Sequence, residues 1–278
     1  MTLAEALRQA QALGLERLDA QWLLLALLGR PAQDRAWLLA HDEQALPEPA
    51  AAQWPGLIAQ RSDGVPLAYL TGRKAFYGLD FQVDARVLDP RADTETLVDW
   101  ALERVQELTS PTVLDLGTGS GAVALAIAHA CPQAQVCASD ISPDALAVAQ
   151  ANAQRLGLGL RVQFALGEWL QPWAGQRFDL IVSNPPYVAE PDPHWPGLRH
   201  EPRLALAAGP DGLDALRWLV AHAAEHLKAG GWLLLEHGHD QADAVQTLLR
   251  TQGWQQVQSR LDEAGIRRCT GAGTPGVK

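Results

Sequence analysis

The sequence predicts an α/β chain with a doubly wound, mostly parallel seven-stranded sheet and a small N-terminal helical bundle. Two observations carry this. From Thr94 onward, apolar runs of strand length alternate with helical repeats, the βαβ rhythm of a parallel sheet. Before residue 70 the pattern is helical.

In chain order, Thr2 and Glu5 form a capping box that opens a helix from Leu3 to Leu13. Asp19 is expected to cap a second helix through Leu28, stopped by Gly29-Arg30-Pro31. Short helices follow over Gln33–His41 and Ala50–Arg61, the latter kinked at Pro55. Residues 74–88 alternate around Gly78 and read as a hairpin. Helices are then expected at 94–107, 121–131, 143–156, 213–228 and 241–251. Strands are expected at 112–117, 135–140, 161–166, 178–183, 231–236, 254–261 and 265–270. This organisation reads as a helical domain over 1–72, a hairpin linker over 73–90 and a sheet domain over 91–278. The proline-rich stretch Val188–Gly212 is long for a loop, which marks it as part of a substrate groove or as a surface excursion.

Charge narrows the function classes. The formal net charge is −10, and residues 1–72 carry five basic against eight acidic side chains, so neither part is basic. A duplex-binding protein draws most of its non-specific affinity from Lys and Arg on phosphates, so direct nucleic-acid binding is not expected. The longest apolar run, Trp22 to Leu28, is too short to span a membrane. The N-terminus lacks a signal-peptide pattern, and three cysteines without CxxC spacing suit a reducing compartment; a cytoplasmic location is expected. The histidines make no zinc pattern, and no metal is expected.

Two strand tips carry the chemistry. The run Phe178–Ser183 ends in Asn184-Pro185-Pro186-Tyr187. Prolines lack the N–H that would continue the ladder, and their carbonyls stay free. Beside them stand the Asn184 amide and the flat Tyr187 ring, groups that can grip a planar –C–NH2 and suit methylation of an amide or exocyclic nitrogen. A structural Pro-Pro turn is the other reading. Upstream, Thr112–Leu116 runs into Gly117-Thr118-Gly119-Ser120-Gly121 and an apolar helix, a turn that lets a ligand approach the backbone. Gly117, Gly119 and Ala122 also fit a dinucleotide pattern. Two acids favour S-adenosyl-L-methionine over NAD. Asp115 would repel a pyrophosphate, and it either holds the loop or faces an ammonium. Asp140 ends the next strand, where it can accept both ribose hydroxyls or act as a turn acid.

With these motifs the chain resembles the protein-(glutamine-N5) methyltransferases, and among them those that modify peptide chain release factors. Further matching stretches are Arg73–Gly78, Pro90–Glu95, Glu201–Leu206 and Leu233–Gly238. Asp89 and Ala92 depart from the family's usual apolar residue and proline. The resemblance implies a class I, Rossmann-like fold and S-adenosyl-L-methionine as cofactor, with S-adenosyl-L-homocysteine as product. It implies a release-factor Gly-Gly-Gln glutamine as acceptor and the N-terminal helices as recognition domain. It also implies Asn184, Pro185, Pro186 and Tyr187 as catalytic residues. Gly117, Thr118, Gly119, Ser120, Gly121, Asp140, Asn184 and an adenine-flanking Trp169 are the implied cofactor contacts. A ribosomal-protein glutamine methyltransferase, an adenine-N6 nucleic-acid methyltransferase and a non-catalytic cofactor- or NAD-binding scaffold are the competing readings.

Overall fold

The computed structural model describes residues 1–274. The chain divides into two compact units, Met1–Arg73 and the residues from Lys74 onward.

The first unit is helical: α1 (Leu3–Ala12), α2 (Arg17–Leu27), α3 (Arg35–Ala40), α4 (Glu48–Ser62) and α5 (Leu67–Thr71). The Thr2–Glu5 capping box forms, with the Glu5 amide donating to Thr2 Oγ1 at 3.2 Å and the Thr2 amide to Glu5 Oε2 at 2.8 Å. Asp19 does not cap α2. Glu16 is the N-cap residue, and Asp19 instead accepts from Arg61 Nε at 2.7 Å, joining α2 to α4. Pro55 lies inside α4, which extends beyond the expected range at both ends. The short α5 is not expected from the sequence; it follows Pro66, whose fixed φ suits a helix entry. The unit closes on a core of leucines and alanines around fully buried Trp54, whose Nε1 donates to the Ala6 carbonyl at 3.1 Å.

A hairpin follows, of β1 (Arg73–Phe76), which starts on the last residue of the first unit, and β2 (Leu79–Gln82). A short 3-10 turn, Ala92–Thr94, leads into α6 (Glu95–Val105). The alternation follows: β3 (Thr112–Leu116), α7 (Ala122–Ala130), β4 (Gln135–Asp140), α8 (Pro143–Arg155), β5 (Val162–Leu166) and β6 (Phe178–Ser183). After β6 come α9 (Trp195–Leu198), α10 (Asp214–His222), β7 (Leu227–Glu236), α11 (Ala242–Thr251), β8 (Gln255–Leu261) and β9 (Arg267–Gly273). The expected helix 213–228 is shorter, because its last turn tightens to 3-10 at Ala223–His226 and β7 begins four residues before the expected start.

The seven strands stand in the order β5-β4-β3-β6-β7-β9-β8, with only β9 antiparallel to its neighbours. Strand side chains alternate between faces. Leu114, Leu116, Ile181, Leu233 and Leu235 pack with Leu216, Leu219 and Val220 of α10 and Val245 and Leu249 of α11. The hairpin is tied to α8 by Asn152, which accepts from the Gln82 amide at 2.7 Å and returns a bond to its carbonyl at 2.9 Å. Asn152 also donates to the Ser120 carbonyl at 3.0 Å, so one buried carboxamide links the hairpin and the glycine turn.

Gly121 caps α7 with φ +83°, and a Cβ there would lie 2.9 Å from Leu125 Cδ1 and 3.2 Å from Ala149 Cβ. Left-handed backbone and crowding act together. Gly121→Ala is expected to destabilise the fold by about 2 kcal/mol or more. A urea unfolding midpoint equal to wild type would show that the turn relaxes freely.

Candidate functional site

The glycine turn and the Asn-Pro-Pro-Tyr segment come together because β3 and β6 are parallel neighbours. Leu116 pairs with Ser183 at their ends, and Ser183 Oγ donates to the Leu116 carbonyl at 2.7 Å. Both chains leave the sheet at its carboxyl edge, where ligands of open α/β sheets bind.

A cavity of about 460 Å³ lies there. Of the residues expected from sequence, Gly117, Thr118, Gly119, Ser120, Asp140, Trp169, Asn184 and Pro186 line it; Gly121, Pro185 and Tyr187 do not. Gly121 acts in packing, as described above. Tyr187 packs against the core of the sheet, and its carbonyl accepts from Gln241 Nε2 at 3.0 Å. Burial pushes its phenol well above the usual range, with the Glu236 carboxylate adding to the effect.

Asp140 fastens the turn. Its Oδ2 accepts from the Gly119 amide and its Oδ1 from the Ser142 amide, both at 2.9 Å. Burial raises its pKa against these backbone bonds. Asp115 also holds the loop: one buried oxygen accepts from Thr118 Oγ1 at 2.6 Å and from the Ala124 amide at 3.2 Å. Burial pushes Asp115 up to about 7 despite both bonds.

Trp169 adopts φ +47°, a left-handed conformation that a bulky residue adopts only at a cost. Its carbonyl accepts from Ser139 Oγ at 3.1 Å, which fixes it beside β4. Its ring stacks on Trp218 at 6.1 Å, and Trp218 stacks on His222 at 4.4 Å. Trp218 lines the cavity and was not expected there. Asp214, Ala215 and Trp218 follow helical i, i+1, i+4 spacing on α10 and face the cavity together.

The loop after Tyr187 is more ordered than its composition suggests. Val188 donates to the Leu206 carbonyl at 2.8 Å and Ala208 donates to the Val188 carbonyl at 3.0 Å, so the chain doubles back. Leu204, Ala205, Ala207 and Ala208 thereby form a cavity wall. Val87, Leu88 and Pro90 form another part of the wall, and Arg91 Nη2 donates to buried Glu201 at 2.5 Å between the two segments. The buried Asp89, one of the two departures from the family pattern, is held by Lys74 at 3.1 Å and Arg91 at 3.4 Å. Ala92 opens the 3-10 turn before α6.

The donor set fits an adenosyl compound carrying a sulfonium. Glycine backbone, a strand-tip acid, further carboxyls at Asp115, Glu168 and Asp214 and two indole faces line the space. A Cβ on Gly117 would lie 3.7 Å from the Trp169 ring, so the turn runs close beneath it.

The Asp115 carboxyl is bound more tightly to its proton in the folded chain, about 7 against an ordinary 3.8. Its contribution to stability is therefore fully present below about pH 4 and is lost as pH rises to about 7. Asp115→Asn keeps an acceptor for Thr118 and Ala124 but cannot titrate. The variant's stability relative to wild type is expected to grow by on the order of 1 kcal/mol per pH unit between about pH 4 and 7. Urea unfolding across that range would refute this reading if the difference stayed flat.

Residues 2–72 match the family model of the PrmC N-terminal domain, and residues 93–194 match that of the methyltransferase small domain. A release factor glutamine methyltransferase of Xylella fastidiosa is 50% identical over 98% of this chain and 98% of its own length. One of Bordetella pertussis is 49% identical over 93% and 95%. Among solved structures, the hMettl16 catalytic domain, determined with a MAT2A 3'UTR hairpin, shares the fold at a TM-score of 0.58. It is 14% identical, with 83% of each chain covered. With full-length relatives at this identity, the chain belongs to the release factor glutamine methyltransferase family, whose methyl donor is S-adenosyl-L-methionine.

Proposed function

We propose that this protein methylates the side-chain amide nitrogen (N5) of the glutamine in the Gly-Gly-Gln motif of peptide chain release factors, leaving S-adenosyl-L-homocysteine. The observation that carries this reading is one cavity lined by both the glycine turn and Asn184, in a chain whose relatives over its full length bear that name. The formal charge of −10, with no basic run, favours a protein over a nucleic-acid acceptor. No helix among the described residues is long and apolar enough to cross a membrane. A cytoplasmic site of action follows from the proposed substrate, a translation factor.

Asp140 and the Gly117–Ser120 backbone would hold the adenosyl group, with Trp169 and Trp218 beside its base. When bound, the donor supplies an already activated methyl group. The protein's task is then alignment and exclusion of water. An amide nitrogen is a poor nucleophile because its lone pair is delocalised. Asn184 Oδ1 and the Pro185 carbonyl would accept its two N–H bonds, pushing electron density onto nitrogen and fixing its direction. Pro186 and Tyr187 would keep the segment rigid. The glycines of the acceptor motif let its backbone come close and leave the glutamine protruding. Residues 1–72 would supply the second contact that selects an intact factor.

Incubation with a release factor and the donor is expected to add one methyl group to the Gly-Gly-Gln peptide, read by mass spectrometry. Methylation of DNA adenine with that glutamine untouched would overturn the reading. Asn184→Ala is expected to lower single-turnover transfer by about 10²-fold while leaving donor affinity near normal. Asp140→Ala is expected to weaken donor binding by about 2 kcal/mol, measured by calorimetric titration. The opposite split would exchange the two roles.

A chain starting at Gly72 is expected to bind the donor but to lose most transfer to an intact release factor. Equal efficiency in a folded truncated protein would remove residues 1–72 from recognition.

A further inference from the structure

Glu236 is a buried acid at the end of β7, directly after the apolar run Leu233–Leu235, and only 1% of its surface is exposed. β7 is the parallel neighbour of β6, with Leu235 opposite Ser183, so Glu236 stands beside Asn184. The Asn184 amide and the Thr94 hydroxyl both hydrogen-bond to its carboxylate. Asn184 Nδ2 also donates to Thr94 Oγ1 at 3.1 Å. Glu236 Oε2 has no hydrogen-bond partner among the described residues. Arg268 is the nearby cation, but it forms its own ion pairs with Asp93 at 3.0 Å and Asp262 at 3.2 Å.

A buried carboxylate with incomplete pairing costs several kcal/mol, and an apolar residue of similar volume at this strand tip would avoid that cost. What the acid supplies is directional. The two ends of a carboxamide are nearly identical in shape, so packing alone does not choose between them. In its ionised form, which the Thr94 and Asn184 bonds favour against the burial that raises its pKa, the carboxylate only accepts hydrogen bonds and therefore admits only the Nδ2 end of Asn184. Thr94 cannot make this choice alone, because a hydroxyl both donates and accepts. With Nδ2 turned toward Thr94 and Glu236, Oδ1 is left for the cavity that Asn184 lines.

We propose that Glu236 is a positioning residue for methyl transfer: it holds the Asn184 carboxamide in the one orientation that offers Oδ1, not Nδ2, to the acceptor amide. The wrong orientation would set two N–H donors against each other. This inference rests on the proposed role of Asn184 as acceptor of the substrate N–H.

The test is a double-mutant cycle in the full-length chain, using Glu236→Gln and Asn184→Ala, with donor and a release factor as substrates. Glutamine keeps the shape but can pair with either end of Asn184. Glu236→Gln is expected to lower kcat by about 10-fold, with donor affinity and KM for the factor within about twofold of wild type. In the Asn184→Ala background the same substitution is expected to change kcat by less than about twofold, because nothing remains to orient. Wild-type kcat in Glu236→Gln, or a loss that multiplies fully onto that of Asn184→Ala, would overturn the inference. Near-normal transfer by Asn184→Ala alone would instead show that the role proposed for Asn184 is wrong, and the inference would fall with it. If Glu236→Gln does not fold, Thr94→Val in the same cycle decides: non-additivity with Asn184→Ala supports the network, and full multiplication overturns it.

Discussion

The parallel pairing of β3 with β6 is the constraint on which the rest of the site depends. Leu116 and Ser183 end the ladder side by side, and the Ser183 hydroxyl bonds across to Leu116. Directly beyond that pair, the glycine turn and Asn184 line a common space. Val113, Leu114 and Leu116 of β3 and Leu180, Ile181 and Val182 of β6 are all fully buried, on both faces of the sheet, so a register slip would disrupt the packing of both layers, and that packing also fixes the relation between the two motifs. β4 and β7, the outer neighbours of this pair, bring Asp140 and Glu236 to the same edge.

That edge holds features that oppose stability. Asp115 and Glu236 are acids buried to 1% exposure, and Trp169 is a bulky residue in left-handed backbone. Each raises the energy of the folded chain, and each lies where two or more strands converge. The leucine-rich core beneath the sheet offsets these costs and keeps the groups where relaxed packing would not leave them. Asp140 shows the same economy of parts, since both of its oxygens already hold backbone amides of the turn and of the start of α8.

The strand rhythm, the glycine turn and the Asn-Pro-Pro-Tyr tip were legible in the sequence because each is a local signal with a local cause. Asp19 was misread because a cap and a tertiary ion pair use the same side chain, and the deciding partner, Arg61, is forty-two residues away. Trp218 escaped because an aromatic on an amphipathic helix reads as core until its neighbours are known. Glu236 could be flagged only as an acid ending an apolar run; what it faces, Thr94 and Asn184, depends on the strand order. The Val188–Gly212 loop read as irregular, since its doubling back rests on backbone bonds that composition does not encode. The two halves of the cavity wall are joined by Arg91 and Glu201, far apart in sequence.

The two buried carboxyls also alter the protein's proton inventory. Counting side chains assigns −10 by treating every acid as ionised. Burial pushes Asp115 and Glu236 up to about 7, so near neutral pH the folded molecule retains bound protons that this count leaves out. Unfolding returns both groups to ordinary carboxylate behaviour and releases such protons to the solvent. The folding reaction of this chain is therefore also an acid–base reaction, and the heat it exchanges near neutral pH includes the ionisation heat of whatever buffer receives the protons.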